Sequence, residues 1–111
     1  MVLEIIAAED AQVVLFPQKF DTGSAPGIEA ELKTLLSTAP RKLVFDFSRT
    51  EFIASAGLRV LLIITREQMR AGRKVALAEI RPQVQKIFEM AGFTSIFQIS
   101  KTRAEALLML A

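Results

Sequence analysis

Three features of the sequence predict an α/β domain whose sheet is mixed but largely parallel, with helices packed on it. Short aliphatic runs alternate with amphipathic stretches in the order β-β-α-β-α-β-α-β-α. The run 43–47 is mostly apolar apart from Asp46, as expected of a strand covered on both faces. After the first two strands every strand is separated from the next by a helix, which demands right-handed crossovers and parallel pairing. The 111 residues show no repeat, no low-complexity stretch and no linker, so 1–111 is expected to form one domain.

The elements follow in order. Val2–Ala7 reads as a strand, Glu9-Asp10 as a polar break, and Gln12–Phe16 as a second strand ended by Pro17. So short a connection predicts a hairpin. Asp21-Thr22-Gly23-Ser24-Ala25-Pro26 carries helix-start chemistry: Thr22 or Ser24 can accept a backbone N–H, and Pro26 tolerates the first turn. Ile28, Leu32, Leu35 and Leu36 recur at helical spacing, and Pro40 follows. After the strand Leu43–Phe47, the pair Phe52-Ile53 is expected to plug the core. A helix then runs from about Ala54 to Ala71, stopped by Gly72. Lys74–Ile80 is a strand, Pro82 opens a helix closed by Gly92, and Ile96–Ile99 is a short last strand. Thr102-Arg103-Ala104-Glu105 fits a capping box for a final helix.

Composition removes whole classes of chemistry. With no His there is no Ser-His-Asp triad and no imidazole proton shuttle. With no Cys there is no thiol catalysis, disulfide or Cys/His zinc site, and a reducing, cytoplasmic setting fits. No apolar run approaches the ~20 residues of a membrane span, and Met1–Ile6 has no basic n-region of a signal peptide. Net charge is +2; ten of the 14 basic but only four of the 12 acidic residues fall within 41–86, giving +6 there and −4 elsewhere. A dense basic stripe with exposed aromatics is missing, so no direct nucleic-acid partner is expected. Phosphate-loop and dinucleotide patterns are missing too, and no cofactor or metal is expected.

In such folds sites gather where strands end and helices begin. Two loops should converge there, Gln18–Ser24 and Ser48–Gly57. In the second, a strand ends in Asp46, a polar loop follows, and Ala54-Ser55-Ala56-Gly57 starts an apolar helix. Small residues at a helix start let another surface approach the backbone. Ser55 lies near N–H groups without intrahelical partners, at the positive end of the dipole, where a phosphate would be held at low cost. The plainer reading makes Ser55 an N-cap. At about 100° per residue, Arg59, Arg66 and Arg70 form one stripe with Ser55 and Ile63 beside it, while Gly57, Val60, Leu61, Ile64 and Ala71 face the core. Ile63 should therefore be exposed among arginines, either a partner contact or a stray apolar residue on a solvated face. Asp21 and Asp46 could share a metal or acid–base site. Alternatively Asp21 caps a helix and Asp46 accepts loop N–H bonds, the preferred reading for Asp46. Glu9, Asp10 and Glu51 read as solvated loop charges.

Asp46-Phe47-Ser48 with Phe52-Ile53-Ala54-Ser55-Ala56-Gly57-Leu58 resembles the signature of the STAS domain of bacterial anti-sigma factor antagonists. Phe20-Asp21 resembles the family's Leu-Asp before the first helix, and Val84–Phe93 its late Met-Ala-Gly-Phe helix. The resemblance spans essentially the whole chain. It implies a protein that catalyses nothing and binds an anti-sigma factor that is also a serine kinase. That kinase phosphorylates the antagonist at the start of its second helix and the pair separates; a metal-dependent serine phosphatase resets it. On that reading Asp21 lies on the kinase-facing rim, and Ala54, Ser55, Ala56, Gly57, Arg59, Ile63 and Arg66 contribute to the partner face.

The sequence departs from the family where the switch resides. The family often reads Asp-Ser-Ser-Gly, with the acceptor hydroxyl just before Gly; here that position is Ala56, and Ala54 replaces the Asp. Either Ser55, the remaining hydroxyl in the turn, is the acceptor, or the chain is a scaffold that binds without phosphorylation. A small hydrolase using Ser55 as nucleophile is a rival of another class, but no Lys near the motif could serve as its base.

Overall fold

The computed structural model describes residues 2–8 and 10–111. Glu9 of the expected polar break and Met1 of the N-terminal segment lie outside the described residues. The strands are β1 (Glu4–Ala8), β2 (Ala11–Leu15), β3 (Lys19–Phe20), β4 (Lys42–Asp46), β5 (Phe52–Ile53), β6 (Val75–Ala78) and β7 (Gln98–Ile99). The helices are α1 (Ala25–Thr38), α2 (Ser55–Arg70), α3 (Pro82–Met90) and α4 (Arg103–Leu110), with a 3-10 turn at Phe93–Ser95. The main sheet has the order β1-β2-β4-β6-β7; β1 and β2 form the antiparallel hairpin and the other pairs are parallel. This is the α/β architecture that the alternation of strands and helices predicts.

Strand alternation sorts side chains to two faces. The rung Val14–Phe45–Leu77–Ile99 looks toward α1, α2 and α3. The neighbouring rung Val13–Val44–Ala76 looks toward α4, where Ala106 and Leu110 complete a smaller core. Every residue of β2 and β6 is buried, because both faces are covered. The larger core is rich in aromatics. Phe16 stacks on Phe20 and Phe47 at centroid distances of 5.1 and 4.8 Å, and Phe47 meets Phe88 edge-on at 5.7 Å.

Several sequence expectations need correction. Lys19–Phe20 and Phe52–Ile53 form a second, two-stranded parallel sheet. Two-residue strands carry no periodic signal, so the sequence shows neither. Only Ile53 of the Phe52-Ile53 pair plugs the core; Phe52 is 47% exposed, since neighbours on a strand point to opposite faces. The last strand shrinks to Gln98–Ile99 because the 3-10 turn takes up the preceding segment. Ala71, expected to face the core, lies beyond the last turn of α2 as its C-cap and is exposed. Gly72 follows with φ 73°, the left-handed conformation that ends a helix. At α4 the Thr102 hydroxyl accepts from the N–H of Glu105 at 3.1 Å, as the capping box predicts. The Glu105 carboxylate, however, accepts from Lys101 rather than from Thr102.

Candidate partner-binding site

The two loops do converge. β3 and β5 pair in register, Phe20 with Ile53, and the N–H of Ala54 donates to the carbonyl of Phe20 at 2.9 Å. Glu51 and Phe52 both donate their N–H groups to the carbonyl of Gln18, at 2.8 and 3.2 Å. Thr50 is fully buried, and its hydroxyl donates to the carbonyl of Pro17 at 2.9 Å. The segment leading into α2 is thus sewn to the one leading into α1.

The N-cap of α2 is Ala54, with φ −95° and ψ 170°, and its side chain has no oxygen to offer. The reading of Ser55 as N-cap is therefore corrected: Ser55 is the first helical residue, and it is exposed. Leu58 is the first N–H to return to a carbonyl of this turn, that of Ala54 at 3.1 Å. The N–H groups of Ser55, Ala56 and Gly57 consequently have no intrahelical carbonyl, and they concentrate the positive end of the helix dipole beside the Ser55 hydroxyl. Ala54 and Ala56 are half-buried. Gly57 is buried with its α-carbon against Phe20, so it sets how closely the two loops approach rather than presenting a surface of its own.

Further along α2, Arg59, Arg66 and Arg70 are exposed, as the wheel predicts. Ile63 departs from the expected full exposure. It is half-buried because α1 packs beside α2, leaving a shallow groove of about 330 Å³ lined by Ala25, Pro26, Arg59, Val60 and Ile63. Thr22 and Ala56, the neighbour of Ser55, line it as well.

Asp21 is half-buried and serves its own loop. Its Oδ1 accepts the N–H groups of Gly23 and Ser24, each at 3.1 Å. These bonds, that from Ser24 first, hold its carboxyl below the ordinary carboxylate value. Ser24 is the N-cap residue of α1, but its hydroxyl turns back to accept from the N–H of Asp21 at 3.0 Å and makes no bond into the helix. Of the two sequence options, capping by side chain is realised by neither Thr22 nor Ser24 in the expected direction.

Asp46 is 1% exposed, and Oδ1 accepts the N–H of Ser48 at 2.8 Å, the loop role preferred for it. Sequence reasoning missed its other partner. Arg103 donates Nε and Nη2 to Oδ2, both at 2.9 Å, tying the carboxyl end of β4 to the start of α4. Arg81 then holds the carbonyl of Ser48 at 2.9 Å. Both carboxylates of the imagined metal pair are thus engaged by neighbours of their own. Among the described residues no cluster of three acidic side chains could hold a metal ion. Phe52, expected in the core, is instead exposed just before α2; its place in so short a strand gives no alternation to show this. Glu51 and Asp10 are exposed, as expected of loop charges; Glu51 accepts from Gln18 and Asp10 pairs with Lys42 at 2.9 Å. No described helix is long and apolar enough to cross a membrane.

The sequence and the fold both have counterparts among known proteins. The chain is 35% identical over 86 residues to BtrV, a candidate anti-sigma factor antagonist of Bordetella bronchiseptica, covering 78% of this chain and 74% of that protein. A candidate anti-sigma factor antagonist of Thermotoga maritima shares the fold with a TM-score of 0.89 at 20% identity, over 97% of this chain and 93% of that one. The Bacillus cell fate determinant SpoIIAA in its phosphorylated form does so with a TM-score of 0.74 at 20% identity, over 98% and 99%. The STAS domain family matches residues 3–106, and the chain belongs to that family.

Proposed function

We propose that the chain is an anti-sigma factor antagonist that works by partner switching in the cytoplasm. It binds an anti-sigma factor serine kinase through the start of α2 and the α1–α2 groove. Phosphorylation of Ser55 releases it, and a metal-dependent serine phosphatase resets it. Catalysis belongs to the partners. The observation that carries this reading is the placement of Ser55: an exposed hydroxyl on the first residue of α2, beside three N–H groups that no helix carbonyl uses. The family, the name of BtrV and the phosphorylated form of SpoIIAA support it.

The unphosphorylated face offers a partner three things. Small side chains at Ala54 and Ala56 let its backbone come close. The groove floored by Val60 and Ile63 takes an apolar anchor. Asp21 and the arginines Arg59 and Arg66 frame that surface with charges of both signs and orient the encounter. A phosphate on Ser55 rests on the free N–H groups, with Arg59 one turn further on, so the domain tolerates it. The same phosphate fills the space that the partner must enter.

Incubation with the cognate kinase and ATP, followed by intact-mass analysis, tests the reading. One phosphate on wild type and none on Ser55→Ala is the expected result; equal uptake by both would remove Ser55 from the role. The scaffold reading rests on Ala56, which stands where the family often carries the acceptor. It predicts kinase binding with no phosphate on either protein.

A further inference from the structure

The far end of α2 carries a second concave surface, independent of the reading above. A rise of 1.5 Å per residue puts Met69 about 20 Å along the helix from Ser55. There α2, the start of β6 and the segment before β7 enclose a half-open cavity of about 390 Å³. Its apolar lining comes from Met69, Val75, Ile96 and Phe97. Val75 and Phe97 are buried and form the floor, whereas Met69 is 65% and Ile96 50% exposed and form the rims. The charged side chains that line it are Arg73 and Lys74, with no carboxylate among the lining residues. Arg73 is half-buried. Among the described residues neither cation has an ion pair, whereas Lys33, Lys42, Arg49 and Arg103 each have one.

Apolar walls bordered by two cations without ion pairs define the chemistry of an occupant. A neutral apolar molecule would leave both cations without a counter-charge, and a small hydrophilic anion would leave Met69, Ile96 and Phe97 uncovered. We infer that this cavity binds a small amphiphilic anion: a medium-length acyl chain along Met69, Ile96 and Phe97, with its carboxylate on Arg73 and Lys74. Arg73, the half-buried residue of the two, supplies the more fixed charge, and the exposed Lys74 adds to it. The cavity has the size of small-molecule sites. It lies at the amino-terminal ends of the parallel strands, away from Ser55, so both surfaces can be occupied together.

Methionine ε-methyl NMR gives a direct test, because Met69 lines the cavity while exposed Met90 and Met109 do not and act as internal references. Decanoate, titrated below its micellar concentration, should move the Met69 resonance saturably and leave the other two in place. Decyltrimethylammonium and decyl maltoside should bind at least tenfold more weakly. The double variant Arg73→Gln/Lys74→Gln should keep the wild-type melting curve and lose at least tenfold in decanoate affinity. Equal shifts at all three methionines, equal affinity for the cationic and neutral amphiphiles, or an unchanged affinity in the double variant would each overturn the inference. Phosphatidylglycerol vesicles separate a free amphiphile from a membrane surface. Sedimentation of the protein with vesicles, together with a Met69 resonance unmoved by decanoate, would assign the patch to a membrane and contradict the proposal.

Discussion

The α-carbon of Gly57 lies against the backbone carbonyl of Phe20, so closely that an added Cβ would come 2.8 Å from that oxygen and 2.9 Å from the Ile53 side chain. This contact fixes how far the start of α2 stands from the loop that carries Asp21. Because the obstacle is backbone, no rotamer change relieves it.

Gly57→Ala is therefore expected to destabilise the fold by about 1–3 kcal/mol, the usual cost of overpacking. Urea unfolding measures it. The displaced helix start should also weaken kinase binding under conditions where the variant remains folded. An unchanged unfolding midpoint would show that the two loops can separate freely.

The ion pair between Asp46 and Arg103 gives a second prediction. Asp46 is 1% exposed, so Arg103→Met leaves a buried carboxylate without its cation. Removing one partner of a buried pair costs about 3–5 kcal/mol, and the partial exposure of Arg103 puts this pair at the lower end. Asp46→Asn/Arg103→Met should be milder than Arg103→Met alone, because the neutral amide still accepts from Ser48. A double variant as unstable as the single one would mean that Arg103 acts through packing alone.

Those two contacts also show what the sequence conceals. The strand and helix order is legible because burial on one or two faces writes a period into the residues, as Val13 and Val14 do by pointing to opposite cores. The stripe of Arg59, Arg66 and Arg70 is legible for the same reason. A contact set by three-dimensional closure leaves no such period. Arg103 is 57 positions from Asp46, and nothing local marks it as the partner. The pairing of Lys19–Phe20 with Phe52–Ile53 is too short to alternate, which is why Phe52 reads as core and lies outside it. A helical wheel sets Ile63 beside the arginine stripe, but it cannot show that α1 packs alongside and half-covers that residue. A hydroxyl at the start of α2 is legible in Ser55, while the cap position falls to Ala54 through backbone geometry alone.

Thr65 supplies a third prediction. It is 4% exposed, and among the described residues its buried hydroxyl has no hydrogen-bond partner. Thr65→Val keeps the β-branched shape and removes the unmet group. The variant should be more stable by about 1 kcal/mol, which raises the melting temperature by about 4 °C in a domain of this size. A lower melting temperature would show that the hydroxyl finds a partner in solution.

The fourth concerns acid. Ser24 and Gly23 hold the Asp21 carboxyl below its ordinary value, and Lys42, by hydrogen bond and then by charge, does the same for Asp10. A carboxyl depressed in the folded state stabilises it above the unfolded value, near pH 3.9 for Asp, and that contribution disappears as pH falls through the folded value. Asp21→Asn keeps an acceptor for the loop and removes the titration. Its unfolding midpoint should fall less steeply than that of wild type between about pH 4.5 and 2.5. Superimposable acid profiles would mean that the Asp21 charge contributes nothing to the loop.

Partner switching at Ser55 is tested most directly by calorimetric titration of the cognate kinase with unphosphorylated protein and with protein stoichiometrically phosphorylated at Ser55. The account predicts binding at least ~10-fold weaker for the phosphorylated form, a loss of about 1.4 kcal/mol or more, with an unchanged fold by circular dichroism. Ser55→Ala should bind like wild type, because the hydroxyl itself supplies little. Equal affinities of the two forms would contradict the switch and leave a STAS domain that holds its partner whatever the state of Ser55.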